Sequence, residues 1–228
     1  WLAVHPPHLG DPIMMTPKAV LFDCDGVLVD SEPIANRIVA QNLSERGLEV
    51  GEEDAMSYWT GGTMKGLGEQ AKAMGATLED GWLDAIYEDI YAALAQGTAM
   101  IAGVDQLMDK LDAQGIPYAV GSNGSLRKMK ITLGQTGLLD RLEGRLVSAH
   151  EEGTAKPDPE LYLIAAKRLE TPPEDCVVID DSPTGCIAAR RAGMRCIGFA
   201  ELTPAALLTA EGAEVAETMA EVETLLGL

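Results

Sequence analysis

Residues 18–32 read KAVLFDCDGVLVDSE. The run Ala19-Val-Leu-Phe22 is a short apolar stretch of the kind that a strand buried on both faces requires. It delivers two carboxylates, Asp23 and Asp25, and Gly26 follows at once, where the chain must turn sharply. By itself a D-x-D-G edge is compatible with a turn, a cation site or a nucleophile. A buried strand leading straight into it weighs against a mere turn.

The rest of the chain bounds the reading. Its 228 residues suit one or two domains with a sizeable core, and 46% of them are hydrophobic. No apolar run approaches the ~18 residues that a membrane span needs, so no such span is expected. The N-terminal WLAVHPPHLGDPIMM has neither the basic nor the apolar region of a signal peptide. Residues 1–17 are therefore expected to be a flexible extension holding His5 and His8, with Met14 or Met15 as a natural start. Cys24, Cys176, Cys186 and Cys196 form no C-x-x-C pair and read as small buried hydrophobes in a reducing cytoplasm. A net charge of −19 argues against nucleic acid or anionic membrane, and any anionic ligand then needs a locally positive site.

Between Pro33 and Gln96 the pattern is helical with glycine-rich breaks: Ile34, Ile38, Val39 and Leu43 share a face, and further helices are predicted near Thr63–Met74 and Asp80–Ala95. From Ile101 onward helix and strand alternate. Helices are predicted over Val104–Gln114, Leu126–Gln135, Pro159–Leu169 and Pro183–Ala192, and strands over Tyr118–Val120, Leu146–Val147, Cys176–Ile179 and Cys196–Phe199. This is an α/β pattern: a Rossmann-like, doubly wound parallel sheet with an all-helical domain inserted after its first strand. The expected division is residues 18–32 and 98–228 as the core and 33–97 as a helical cap.

Three more polar groups follow predicted strands and so converge on the carboxyl edge of the sheet. Cys176-Val-Val-Ile-Asp-Asp-Ser182 repeats the strand-then-two-acids design, with Ser182 as N-cap and Pro183 in the first turn of the next helix. Asp180 and Asp181 read either as helix-capping acids or as ligands. Four carboxylates at one edge repel, by roughly 4 kcal/mol for a pair ~4 Å apart at an effective dielectric of ~20. A divalent cation relieves this, and an all-oxygen donor set with no nearby His or Cys selects Mg2+. Val120-Gly-Ser-Asn-Gly-Ser125 offers the Ser122 hydroxyl, the amides of Asn123 and Gly124, and the start of a helix capped by Ser125 as a phosphate cradle, or else is an ordinary loop. Lys156, in Ala-Lys-Pro-Asp-Pro, is held by two prolines and could neutralise a phosphoryl oxygen and a carboxylate. Such a set permits Asp23 to attack phosphorus without a base to activate it. Asp25 would then give a proton to the leaving alkoxide and later take one from water.

These four groups, DCDGVLVDSE, GSNGS, KPDP and VVIDDSPTGCIAARRAGM, occur in the order found in the haloacid dehalogenase superfamily, and the chain from Lys18 onward resembles it. The helical insertion resembles the helical-cap subclass, which includes β-phosphoglucomutase, phosphoglycolate phosphatase and sugar-phosphate phosphatases. The resemblance implies Asp23 as nucleophile, Asp25 as acid/base, and Ser122 and Lys156 as phosphoryl ligands. It implies Mg2+ on Asp23, the Asp25 carbonyl and Asp181, with Asp180 binding directly or through water. An Asp at position 25 implies phosphate-ester chemistry, since dehalogenase members lack it.

Tyr58-Trp-Thr-Gly-Gly-Thr-Met-Lys65 is the expected substrate-reading loop, with Gly62, Thr63 and Lys65 in the binding set and Trp59 either lining the pocket or in the cap core. Arg127 and Lys128 follow the phosphate cradle, in a stretch that looks like the 6-phosphogluconate type of phosphatase, and read together either as cations that meet an anionic sugar or as a solvated helix face; Arg127 joins the expected binding set. His150 is expected in a loop. The reading is a cytoplasmic, Mg2+-dependent phosphatase of a small phosphorylated metabolite, a sugar phosphate or sugar-acid phosphate, as a monomer or weak homodimer. The alternatives are a β-phosphoglucomutase-like phosphomutase, a phosphoglycolate phosphatase and, outside enzymes, an acidic phosphate-recognition module.

Overall fold

The structure, a computed structural model, describes residues 16–51 and 64–228. Tyr58, Trp59, Gly62 and Thr63 of the expected substrate-reading loop lie outside the described residues.

Six parallel strands form one sheet: β1 (Ala19–Phe22), β4 (Tyr118–Ser122), β5 (Leu146–Ser148), β6 (Cys176–Asp180), β7 (Arg195–Phe199) and β8 (Glu214–Ala216), in the spatial order β5-β4-β1-β6-β7-β8. The first strand of the chain is thus central, between β4 and β6. All four of its side chains are fully buried, as its uninterrupted apolar run requires. Alternate residues serve opposite faces. Val20 and Phe22 join Val120 and Ile179 in one apolar cluster, covered by α4 (Val104–Gln114), part of α5 (Leu126–Gln135) and α10 (Met219–Leu226). Ala19 and Leu21 join Ala119 and Val178 in a second, covered by α7 (Glu160–Arg168), α8 (Pro183–Arg191) and Leu208 of α9 (Ala205–Ala210). Helices on both faces make the sheet doubly wound.

Between β1 and the remaining strands come α1 (Glu32–Ser44), α2 (Met64–Ala73) and α3 (Trp82–Leu94), which share a third apolar cluster around Val39, Leu43, Leu67, Ile86 and Leu94. Pro33 sits in the first turn of α1, where its missing N–H costs nothing. The two chain crossings into and out of this helical segment pair with each other. β2 (Val29–Asp30) and β3 (Ala99–Met100) form an antiparallel ribbon with Val29 opposite Met100 and Asp30 opposite Ala99. Two-residue strands carry no periodicity, so this ribbon was not foreseen from the pattern.

One local expectation is refined and another is met. His150 lies not in a loop but in a single helical turn, α6 (Ala149–Glu152), where it is exposed. The four cysteines are free and buried, as their apolar settings predicted. Among the described residues no helix is long and apolar enough to cross a membrane.

Candidate active site

The register of the three central strands assembles the site. Phe22 lies opposite Ile179, so the next residues along, Asp23 and Asp180, emerge side by side at the carboxyl edge. The Asp23 N–H donates to the Ile179 carbonyl at 2.9 Å, which extends the ladder by one bond and fixes the Asp23 backbone. Lys156 reaches between the two acids, its Nζ 2.8 Å from Asp23 Oδ1 and 2.8 Å from Asp180 Oδ2. Its backbone N–H donates to Asn123 Oδ1 at 2.9 Å, so the β4 loop holds the lysine loop in place, and the Lys156–Pro157 bond is cis. Burial disfavours the Lys156 ammonium, but Asp180 and Asp23 outweigh it and hold the amine protonated, with its pKa raised.

Asp180 is fully buried and its carboxylate is saturated. Oδ2 accepts from Lys156 and from the Tyr162 hydroxyl at 2.5 Å, while Oδ1 accepts from the Ser182 N–H at 2.9 Å and the Ser182 hydroxyl at 2.7 Å. The Tyr162 ring also lies under the Lys156 ammonium, 5.0 Å from its centroid. Ser182 in turn accepts the Gly185 N–H at 3.0 Å, the N-cap bond predicted for α8. Gly185 itself is obligatory, because a Cβ there would stand 1.8 Å from Asp180 Oδ2.

Asp181 differs. No donor among the described residues reaches its carboxylate. Burial, with Asp23, Asp180 and Glu32 nearby, pushes its carboxyl well above the usual range. Burial likewise pushes Asp23 up to about 7; Lys156 opposes the rise, and the negative charges of Asp180 and Asp25 add to it. Asp23, Asp180 and Asp181 each present an oxygen within 4.8 Å of the others. An acidic trio of oxygen donors, one of them without a partner, is a set that suits a hard divalent cation.

Asp25 points to a separate set of partners. Lys128 Nζ stands 2.9 Å from its Oδ1, and the Ser31 hydroxyl donates to the same oxygen at 2.5 Å. Burial would raise the Asp25 carboxyl, but Lys128 and Ser31 outweigh it and hold it below its ordinary value. The two acids of the opening motif therefore sit in opposite electrostatic environments two residues apart.

The β4 loop closes the other side. Ser122 is buried and its hydroxyl accepts the Gly124 N–H at 3.0 Å, while Ser148 donates to the Gly124 carbonyl at 2.8 Å. Ser125 caps α5 by accepting the Lys128 N–H at 3.2 Å and also meets the Tyr91 hydroxyl of α3 at 2.9 Å. That contact belongs to a seam between α3 and α5. Arg127 stacks over Tyr91 at 4.9 Å and is paired with both carboxylate oxygens of Glu88, and Ile131 packs into the cluster of the helical insertion. Lys65 is exposed on α2.

The structure thus brings together Asp23, Asp25, Ser122, Asn123, Gly124, Lys156, Asp180 and Asp181. Arg127 is engaged by Glu88 and Tyr91. Sequence reasoning missed Ser31, which belongs to the opening stretch itself, and Tyr162, which reads as an ordinary apolar position of α7. It also treated Arg127 and Lys128 together, although consecutive helical residues point about 100° apart. Only the second faces Asp25.

Comparison with known proteins agrees with this geometry. The haloacid dehalogenase-like hydrolase family matches residues 17–193. The 6-phosphogluconate phosphatase of Escherichia coli (strain K12) is 31% identical over 184 residues, covering 80% of this chain and 82% of that protein. The chloroplastic protein SUPPRESSOR OF QUENCHING 1 of Arabidopsis thaliana is 33% identical over 200 residues, but this chain spans only 19% of its length. A crystal structure of a HAD family hydrolase from Deinococcus radiodurans, with bound phosphate and sodium, superposes with a TM-score of 0.80 at 33% identity, covering 93% of this chain and 96% of that one. With its parallel sheet, its acidic edge and its buried lysine between two aspartates, this chain belongs to the haloacid dehalogenase-like hydrolases.

Proposed function

We propose that this protein is a Mg2+-dependent phosphatase of small phosphorylated metabolites, sugar phosphates or sugar-acid phosphates, acting through an aspartyl phosphate on Asp23. The observation that carries this reading is the division of labour at the end of β1. Asp23 faces Lys156 and the acidic trio, while Asp25 is held by Lys128 and Ser31. Asp23 stands where a cation and a phosphoryl group can meet it, and Asp25 stands apart from the acidic trio with partners of its own, so the first is placed to attack phosphorus and the second to carry the proton.

In the first step an Asp23 oxygen forms a bond to phosphorus, the ester P–O bond breaks, and protonated Asp25 gives its proton to the departing alkoxide. In the second, water attacks the aspartyl phosphate and passes a proton to Asp25; the acyl phosphate bond breaks, restoring the Asp23 carboxylate and releasing phosphate. Lys128 favours the ionised Asp25 that this second step requires. Lys156 neutralises charge on the phosphoryl oxygens, and Ser122 and the amides of Asn123 and Gly124 hold them.

Asp23 and Asp181 would hold Mg2+ directly together with the Asp25 carbonyl, and Asp180, whose oxygens are saturated by protein donors, would reach it through water. When bound, the cation offsets the charge of the acidic edge and of the incoming phosphate. The phosphate and cation bound by the Deinococcus radiodurans relative, and the activity named for the Escherichia coli relative, support the same reading. Residues 33–97 are taken as a cap that covers the site and reads the leaving group.

The test is a screen of phosphorylated metabolites for free phosphate, with Mg2+ and with EDTA. Phosphate release that EDTA abolishes is expected; EDTA-insensitive release overturns the metal assignment. Conversion of glucose 1-phosphate, primed with the bisphosphate, to the 6-phosphate without free phosphate replaces hydrolysis by transfer.

A further inference from the structure

Among the described residues three of the four carboxylates of the edge are paired by two ammonium groups, and these differ in kind. Lys156 is closed in, 3% exposed, and bound to two acids. Lys128 keeps 22% of its side chain exposed and, among the described residues, has one carboxylate partner. That partner is Asp25, and Asp25 acts on the leaving-group oxygen. The Lys128 ammonium therefore stands on the leaving-group side of the reaction, as Lys156 stands on the phosphoryl side.

The surroundings of Lys128 on that side are furnished for a polar guest. Tyr87 and Tyr91 project from α3 one turn apart with ring centroids 6.0 Å apart, and Tyr87 is 38% exposed. The Tyr91 hydroxyl is taken by Ser125, but that of Tyr87 has no hydrogen bond among the described residues, and its ring lies within the field of Lys128. Arg127, the other nearby cation, is engaged by Glu88 and Tyr91. Asp25 does not depend on Lys128 alone, since Ser31 donates to the same Oδ1. Lys128 can thus be shared with an incoming anion while Asp25 keeps a donor.

We infer that Lys128 is a specificity-determining residue whose ammonium receives an anionic group, a carboxylate or second phosphate, on the leaving alcohol of the substrate. The inference rests on the phosphatase reading and deepens it. The edge is acidic and the chain carries a charge of −19, so an anionic leaving group is repelled unless it is met by a cation of its own. Lys128 is the described cation placed to do so. A neutral leaving group of the same size gains nothing from it.

The test compares kcat/KM for two matched pairs, 3-phosphoglycerate against glycerol 3-phosphate and 6-phosphogluconate against glucitol 6-phosphate, in wild type, Lys128→Met and Lys128→Arg. Within each pair the acid replaces an alcohol at equal chain length. Any general loss from disturbing Asp25 cancels in the ratio. The wild type is expected to prefer the acid in at least one pair, by about tenfold or more, as befits a charge pair in a partly desolvated site. Lys128→Met should bring that ratio close to one, and Lys128→Arg should keep most of it. A ratio that survives Lys128→Met, a parallel fall of both members, or a wild type with no preference for either acid overturns the inference. Hydrolysis of p-nitrophenyl phosphate is measured alongside. A wild type that releases phosphate from none of these compounds defeats the phosphatase reading, and this inference with it.

Discussion

Gly26 lies directly against Asp181: a Cβ at residue 26 would stand 2.2 Å from Asp181 Oδ2, and the Gly26 backbone is left-handed at φ +75°. The turn after β1 and the acid after β6 are therefore built as one unit. Gly26→Ala adds about 1 kcal/mol of backbone strain and forces the Asp181 carboxylate aside. Calorimetric titration with Mg2+ should show affinity weakened by roughly tenfold or more, the scale seen when groups that orient metal ligands are disturbed. Unchanged affinity would separate Asp181 from the metal site.

Asp23→Asn removes the proposed nucleophile at nearly constant shape. Phosphate release should fall by roughly 10³-fold or more, as when a nucleophile that acts in concert with its neighbours is removed. Lys156 keeps Asp180 as a partner, so the thermal midpoint should stay within a few degrees of wild type. Residual turnover near the wild-type rate means that another group attacks phosphorus.

The Asp23 carboxyl sits at about 7 in the folded protein against an ordinary value near 3.8. A carboxyl raised by folding holds its proton better in the native state, so it lowers stability as pH rises from about 4 to about 7 and keeps that penalty above. Asp181 is shifted in the same direction. A cation competes with these protons, so the rise in thermal midpoint on adding Mg2+ should be larger at pH 8 than at pH 5. A Mg2+ effect that is flat across this range would count against Asp23 and Asp181 as its ligands.

Lys156→Met leaves Asp23 and Asp180 buried without their shared cation. Breaking a buried pair in this way costs about 3–5 kcal/mol, which in a chain of this size lowers the thermal midpoint by roughly 10 °C. Asp23 can escape part of the cost by taking a proton, so the loss should be greater at pH 8 than at pH 6. Equal losses at both pH values would mean that Lys156 acts on stability through packing alone.

The parts of the fold legible in the sequence were those with strong local patterns. Helices over Val104–Gln114 and Leu126–Gln135 occur with the bounds their periodicity predicts, and both serine caps, Ser125 and Ser182, make their expected bonds. Each polar group could be assigned to the carboxyl edge because each follows a strand. What stayed hidden depends on which distant residues meet. The ribbon of β2 and β3 joins segments 70 residues apart with no periodic signal, and Tyr162 reaches Asp180 from a helix face that reads as core. The contrast between Arg127 and Lys128 is a matter of helical phase: one turns toward Glu88 and the other toward Asp25.

The β2–β3 ribbon has one more consequence. Because Asp30 lies opposite Ala99 at the end of this antiparallel ribbon, the helical segment is entered and left at one place. A short hairpin turn between those two residues would reconnect the core without moving its strands. The covalent crossing is thus a single point, separate from the register of the six strands that assembles the acidic edge.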